Sequence, residues 1–272
     1  MATLYRDEAV VLRTHDLGEA DRILTILTRH RGLVRAVAKG VRRTASRFGG
    51  RLEPFSVVQL QCYEGRSLDT ITQAESLALY GAELTSDFEK YRAAWVMAET
   101  AERLTDGEPS FQQYDLLVGA LRTLARDLAP TELARDGYLL RALALAGWSP
   151  ELRSCVNCGA AGPHTAIMIG LGGVVCETCR TPGAVRLTGE ALELLQALGG
   201  ADWDTAFAAS ERARKEAAGF TAAYLQWQLE RGLKSLYRSR THGADRGSVA
   251  VTSESASERL ADGQSTHAAR PR

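Results

Sequence analysis

The sequence has no net charge and no long apolar run, and each absence narrows what the chain can be. Lys and Arg together number 33, as do Asp and Glu, so contact with a polyanion must come from a local basic surface. The longest apolar run contains three glycines and is shorter than the ~20 residues of a membrane-spanning helix. The charged N-terminus lacks the apolar core of a signal peptide. A cytoplasmic chain without a membrane segment is expected.

Proline and histidine are also scarce. With 7 prolines and 45% hydrophobic residues, the chain is neither collagen-like nor wholly disordered. The 5 histidines offer few candidates for general acid–base chemistry. No P-loop, dinucleotide-binding glycine pattern, GxSxG or HExxH motif occurs, and no carboxylate cluster suits a metal-dependent nuclease. The sequence does not support an enzyme.

Residues 1–80 form a series of β-strand patterns separated by turns. In the fourth pattern Val58, Leu60 and Cys62 alternate with polar neighbours, as in a half-buried antiparallel strand. Five short strands in ~80 residues predict a small closed barrel, of which the OB-fold is the five-stranded version that binds nucleic acids and oligosaccharides. An SH3-like barrel is an alternative on pattern alone. The predicted strands are AVVLR, DRILTILTR, LVRAVAKG, PFSVVQLQCYEG and LDTITQAES.

From residue 81 the hydrophobic period becomes that of helices. The aromatic residues Phe220, Tyr224 and Trp227 are interpreted as core residues of the last helix. The final stretch consists of Gly, Ser, Ala and charged residues and has too few aliphatic side chains to fold. The helical segments are predicted at 87–104, 111–128, 132–148, 188–198 and 206–238.

These patterns predict an α+β multidomain chain. An N-terminal OB-fold barrel at 1–80 is followed by an α-helical domain at 81–240 and a disordered tail at 241–272. The helical domain carries an inserted, zinc-ribbon-like four-cysteine site at 154–182.

Four of the five cysteines stand in two CxxC pairs separated by 17 residues. The pairs are Cys155 with Cys158 and Cys176 with Cys179, a spacing typical of four-cysteine zinc sites. Four thiolates leave no ligand position for water, which favours one structural Zn²⁺ per chain. Four free thiols are the alternative. His164 lies in the intervening loop and is interpreted as solvated.

The segment 29–51 contains eight cations and no acid. Arg35 and Lys39 share one face of the third predicted strand, and a glycine-containing loop with further arginines follows. Repeated cations beside a small barrel are typical of a surface that follows phosphates, with Phe48 as a base-stacking platform. A solubilising basic loop is the alternative. The predicted nucleic-acid contacts are Arg35, Lys39, Arg42, Arg43, Arg47, Phe48 and Arg51.

Several segments occur in an order that resembles a known family. They are LGEADRILTILTRHRGLVRAVAKGVRRTASRFGGRLEPF, GRSLDTITQAE, CVNCG with LGGVVCETC, and YLQWQLERGLKSLYR. Together, over about 240 residues, they are similar to the bacterial DNA repair and recombination mediator RecO family. Ala45 stands where that pattern often has another basic residue, and members without the cysteines exist.

The resemblance to RecO implies a function that composition alone does not indicate. It implies binding of single- and double-stranded DNA, annealing of complementary strands, and a nucleoid-associated location. It also implies partnership with RecR and loading of RecA onto DNA coated by single-stranded DNA-binding protein. A zinc-ribbon transcription or translation factor whose OB-fold binds RNA is the alternative from a different class.

Overall fold

The structure is a computed structural model that describes residues 3–105 and 109–229. An N-terminal barrel is followed by helices, and a small three-stranded sheet lies between the fourth and fifth helix. None of the helices in these two stretches has the length and hydropathy of a membrane span. The barrel strands are β1 (Leu4–Leu17), β2 (Asp21–Thr28), β3 (Gly32–Ala38), β4 (Ser56–Tyr63) and β5 (Asp69–Leu79).

The strand order of the barrel is β1-β2-β3-β5-β4, and it closes between β4 and β1. Neighbouring strands are antiparallel except for β3 and β5, which run parallel. This arrangement is the OB-fold, so the predicted fold class is confirmed over the SH3-like alternative. The predicted alternation in β4 is also confirmed, because Val58, Leu60 and Cys62 are buried in the barrel interior. Two irregularities in the pairing of β4 with β5 account for the weak alternation of the fifth predicted strand.

Strand β1 is buried on both faces. Ala9 and Val11 point into the barrel interior, whereas Val10 and Leu12 belong to the core formed with the helices. A strand buried on both sides has a continuous apolar run instead of an alternating one, which explains the sequence AVVL. The barrel and the helices therefore share β1 as a common wall.

Phe55 reinforces the junction between the barrel and the second helix. It is 1% exposed and makes edge contacts with Tyr91 at 6.0 Å and Trp95 at 5.2 Å between ring centroids. Such aromatic pairs add about 0.5–1.5 kcal/mol to the area that they bury. Its φ of 69° is unusual for a bulky residue, so this packing holds a strained backbone in place.

Polar side chains in the sequence cap the N-termini of several helices. Asp87, Ser110 and Ser210 accept backbone N–H groups in the first turn of their helices. Ser210 also explains why the segment 206–238 is not one helix, because one helix ends before it at Ala208 and another begins after it at Glu211. The helices are α1 (Gly81–Thr85), α2 (Phe88–Leu104), α3 (Phe111–Ala125), α4 (Thr131–Leu145), α5 (Gly189–Gly200), α6 (Trp203–Ala208) and α7 (Glu211–Gln228).

The aromatic residues of α7 have different environments. Phe220 and Tyr224 are buried and stacked at 5.4 Å between ring centroids, as predicted. Trp227 is 60% exposed, so its interpretation as a core residue is wrong. The predicted tail at 241–272 and the end of the last predicted helix lie outside the described residues.

Helices α5 and α7 cap each other. Glu190 of α5 accepts hydrogen bonds from the N–H and hydroxyl of Ser210, each at 2.7 Å. Glu216 of α7 accepts the corresponding pair from Thr188, the N-cap of α5, each at 2.8 Å. The hydroxyl of Ser210 lowers the pKa of Glu190, and the backbone N–H of Thr188 is the largest cause that lowers the pKa of Glu216.

This reciprocal cap predicts acid sensitivity. Because both folded-state pKa values lie below the ordinary 4.5, the carboxylates stabilise the fold above that pH. That stabilisation is lost as the pH falls through the folded-state values. We expect a Glu190→Gln/Glu216→Gln variant to be less stable at neutral pH and to lose less of its melting temperature below about pH 4.5. Thermal melts over a pH series test this.

The control for the acid prediction is Glu193→Gln, because Glu193 is exposed on the same helix. This variant should follow the parent at every pH. A double variant that also followed the parent would contradict the assigned role of the reciprocal cap.

Candidate nucleic-acid interface and metal centre

The loop between β3 and β4, residues 39–55, is anchored to the barrel. Val41, Phe48 and Leu52 are buried at 8%, 1% and 1% exposure and pack in the barrel interior. The backbone N–H of Gly40 donates to Asp21 at 2.7 Å, and the N–H of Arg42 donates to the carbonyl of Ala20 at 3.0 Å. The apolar anchors and these hydrogen bonds hold the arginines of the loop at the barrel rim.

The burial of Phe48 corrects its predicted role. Its ring lies in the barrel interior, and the guanidinium of Arg47 lies 4.8 Å from the ring centroid. A base cannot stack on a ring that is 1% exposed, so the predicted stacking platform is wrong for this conformation. The missed signal is the apolar residues Val41, Phe48 and Leu52 within the largely polar stretch 39–53, which indicate a plug for the barrel end.

Three cations of the segment 29–51 are paired within the protein. Arg29 lies 3.1 Å from Glu8 and 3.5 Å from Asp115 of α3, and so links the barrel to the helices. Arg31 covers the ring of Tyr5, with 3.9 Å between its guanidinium carbon and the ring centroid. Arg42, the third, pairs with a carboxylate of the β1–β2 hairpin. These three side chains already have partners inside the protein.

Arg51 is intermediate between the paired cations and the free ones. It is exposed and forms no ion pair among the described residues, but its guanidinium donates to the carbonyls of Arg47 at 3.0 Å and Phe48 at 3.4 Å. It thereby closes the 3-10 turn Gly49–Leu52.

Four further cations are exposed, and within the described part of the chain none of their side chains forms an ion pair or a hydrogen bond. One lies on the outer face of β3, opposite Thr25, and the others follow in the loop. We call this set the free basic surface. It consists of Arg35, Lys39, Arg43 and Arg47.

An ion-pair network beside this surface was not predicted. Asp16 of β1 and Arg22 of β2 are cross-strand partners, with 3.1 Å between Arg22 Nε and Asp16 Oδ1. Arg22 also lies 2.8 Å from Glu53, and Arg42 Nη2 lies 3.4 Å from Asp16 Oδ2. The hairpin sequence DLGEADR carries the signal, because a tight turn places its flanking Asp and Arg opposite each other.

The four cysteines of the two CxxC pairs come together in the insert between α4 and α5. Around them lie β6 (Ala166–Met168), β7 (Gly173–Val175) and β8 (Val185–Arg186). All four sulfurs lie within 4.8 Å of one another, and those of Cys158 and Cys176 are 3.8 Å apart. This distance is far longer than the ~2.0 Å of a disulfide.

The spacing of the sulfurs fits a tetrahedral metal ion. Thiolates about 2.3 Å from a shared zinc ion lie about 3.8 Å from one another at the corners of a tetrahedron. The chain therefore has a set of four sulfur donors that could bind a metal ion. His164 is not one of these donors, because the clustered ligand atoms are the four cysteine sulfurs and its Nε2 lies 2.9 Å from the carbonyl oxygen of Ala160. Cys62 is buried in the barrel, as predicted.

Backbone N–H groups donate hydrogen bonds to sulfurs of this cluster and favour the thiolate form that binds a cation. A hydrogen bond from the N–H of Cys176, with others from Cys158 and Asn157, lowers the pKa of the Cys155 thiol to about 6. The N–H of Ala160 favours the thiolate of Cys158, but the neighbouring thiols raise the pKa of Cys158 to about 11. Adjacent thiolates repel one another, so a bound cation would favour their joint ionisation.

Comparison with known proteins agrees with these features. The family model described as "Recombination protein O N terminal" matches residues 1–80, and "Recombination protein O C terminal" matches residues 85–237. A protein of Thermobifida fusca named DNA repair protein RecO is 52% identical over 236 residues, covering 86% of this chain and 97% of its own.

Two further relatives are also named DNA repair protein RecO. The protein of Streptomyces coelicolor is 54% identical over 243 residues, and that of a Nocardioides species is 55% identical over 239 residues. Each match covers 86% of this chain and 98% of the relative. The barrel, the helical region and the four-cysteine cluster thus occur in a chain that belongs to the RecO family, which supports a role in DNA repair and recombination.

Proposed function

We propose that this chain is a recombination mediator that binds single- and double-stranded DNA and anneals complementary strands. In this role it acts with RecR to help load RecA onto strands coated by single-stranded DNA-binding protein, and it associates with the nucleoid. The observation that carries the proposal is the free basic surface on the rim of an OB-fold barrel. Membership of the RecO family supports the biological context.

Cations that contact the DNA backbone and not the bases can promote annealing. Two DNA strands repel each other through their phosphates, and cations that neutralise the phosphates reduce this repulsion and release counterions. Contacts to phosphate and sugar leave the base edges free to pair. The loop provides such cations without a stacking ring, since Phe48 is buried. No covalent step and no nucleotide hydrolysis are required.

The proposed function predicts annealing without a nucleotide. Complementary oligonucleotides are coated with single-stranded DNA-binding protein and mixed with this chain, and duplex formation is followed by fluorescence. We expect annealing to be faster than in a reaction without the chain, because the cations screen both strands. Non-complementary coated strands are the control and should remain single.

Two results would contradict this function. One is an annealing rate on coated strands that does not change when the chain is added. The other is a clear preference for structured RNA over DNA of the same sequence, which would indicate contacts to the 2′-hydroxyl and favour the RNA-binding alternative.

We also propose that the cysteine cluster holds one structural Zn²⁺. Cys155, Cys158, Cys176 and Cys179 would supply all four ligands, and a closed thiolate shell suits a structural ion more than a catalytic one. The insert has a small core of its own, with Cys155, Ala166 and Val175 as its buried members. A metal ion would therefore supply the stability that this core lacks.

A further inference from the structure

Asp16 lies between the two arginines of the network beside the free basic surface. Its Oδ1 faces Arg22 at 3.1 Å, and its Oδ2 faces Arg42 at 3.4 Å. The side chains of Asp16 and Arg42 are 55% and 36% exposed. A carboxylate in contact with an exposed arginine at the edge of a polyanion-binding surface occupies a position that a phosphate could take.

We propose that Asp16 competes with DNA phosphate for Arg42 and thereby limits the affinity of this chain for DNA. The inference rests on the proposed function, since it assumes that the neighbouring free basic surface binds DNA. In the free protein Arg42 is neutralised by Asp16 and adds little to phosphate binding. Removing the carboxylate releases Arg42 as a fifth phosphate contact.

The other acids near the loop do not have this relation to Arg42. Glu53 lies 2.8 Å from Arg22. Asp21 accepts the backbone N–H of Gly40 and so has a structural role in the loop. Glu19 is exposed in the same β1–β2 turn and forms no ion pair among the described residues. Asp16 is thus the carboxylate placed to compete with a phosphate.

Loss of Asp16 leaves its neighbours supported. Arg22 keeps its contact with Glu53. Arg42 keeps its hydrogen bond to the carbonyl of Gly18, at 3.2 Å, and its backbone N–H bond to Ala20. An Asp16→Asn variant should therefore retain the fold of the hairpin and the loop.

The test compares the full chain carrying Asp16→Asn with a matched Glu19→Gln control, which removes the same charge from the same β1–β2 hairpin. Binding to single-stranded oligonucleotides is measured at a series of salt concentrations. We expect Asp16→Asn to tighten binding by about twofold to fivefold and to steepen the slope of log affinity against log salt by about 0.7, the value for one additional phosphate contact. Glu19→Gln should have a smaller effect and leave the slope unchanged.

A double-mutant cycle identifies Arg42 as the released cation. In an Arg42→Ala background, the gain from Asp16→Asn should fall to that of Glu19→Gln. A gain that persists without Arg42 would overturn the inference, because it would reflect only a general change of charge. Equal effects of Asp16→Asn and Glu19→Gln in the parent chain would overturn it as well.

Failure of this inference is distinguishable from failure of the proposed function. If loss of the four cations of the free basic surface leaves DNA binding intact, the proposed surface is wrong. If that loss weakens binding while Asp16→Asn behaves like Glu19→Gln, the surface stands and only the competition by Asp16 is rejected.

Discussion

The largest loss of DNA binding is expected when all four cations of the free basic surface are replaced by Ala. Removing one cation–phosphate interaction with a single strand reduces the salt slope by about 0.7, so removing four reduces it by about 2.8. When the salt concentration rises from about 50 to 200 mM, the affinity of the variant should therefore fall by a factor that is about fiftyfold smaller than the factor for the parent. Binding and annealing should weaken together, as measured by fluorescence anisotropy and strand annealing. The variant carries Arg35→Ala, Lys39→Ala, Arg43→Ala and Arg47→Ala.

Thermal stability should change little in this variant, because exposed cations without ion pairs contribute little to folding. The control removes exposed arginines elsewhere, with Arg122→Ala, Arg126→Ala and Arg153→Ala in one chain. These arginines are exposed and form no ion pair in the described ranges, so the control should keep most of the salt slope. Similar losses in both variants would indicate a nonspecific effect of net charge, and an unchanged slope in the first would exclude the surface.

The second large effect is expected at the metal centre. Cys155 is 2% exposed and belongs to the small core of the insert. A Cys155→Ser variant should lose the metal and unfold the insert, because metal binding and local folding are coupled in thiolate sites. Elemental analysis should find about one zinc per parent chain and close to none in the variant. Hydrogen exchange should become fast in β6 and β7 but stay slow in the barrel.

A matched control for the metal prediction is Cys62→Ser. This substitution places a polar hydroxyl in the barrel interior and should lower thermal stability, but it should leave the zinc content unchanged. A parent chain that is purified without metal, with an insert as protected as in a zinc-loaded sample, would contradict the assigned structural role. The DNA affinity of Cys155→Ser also shows whether the metal influences the barrel.

Patterns local in sequence predicted much of the fold. The alternation of Val58, Leu60 and Cys62 depends only on the geometry of one strand, and the spacing of the CxxC pairs depends only on two turns. Both predictions agree with the structure, because the same residues determine the pattern and the contact. The number and lengths of the strands predicted a small closed barrel, but the parallel pairing of β3 with β5 was needed to distinguish the OB-fold from an SH3-like barrel.

The remaining features depend on partners distant in sequence. Phe48 is buried because the barrel end needs an apolar plug, and Arg29 is paired because α3 brings Asp115 beside it. In the sequence alone, all eight cations of the segment 29–51 are equal candidates for phosphate contacts. Their tertiary neighbours show which of them are paired within the protein and which are free. Trp227 fits the helical period of α7, yet it is 60% exposed, because the described elements cover its ring only in part, whereas Phe220 and Tyr224 are buried in the core.

Because the barrel and the helices share β1 as a common wall, truncating the chain after the barrel would uncover one face of that barrel. The outer surface of the barrel contains Val10, Leu12, Leu27 and Val57, and all four are covered by the helical core. A fragment that stops after the barrel would expose this apolar face to water and to other copies of itself. In a DNA-binding assay on an isolated barrel, association between fragments would therefore be difficult to distinguish from DNA binding. DNA binding should therefore be measured on a chain that keeps the helices covering this surface.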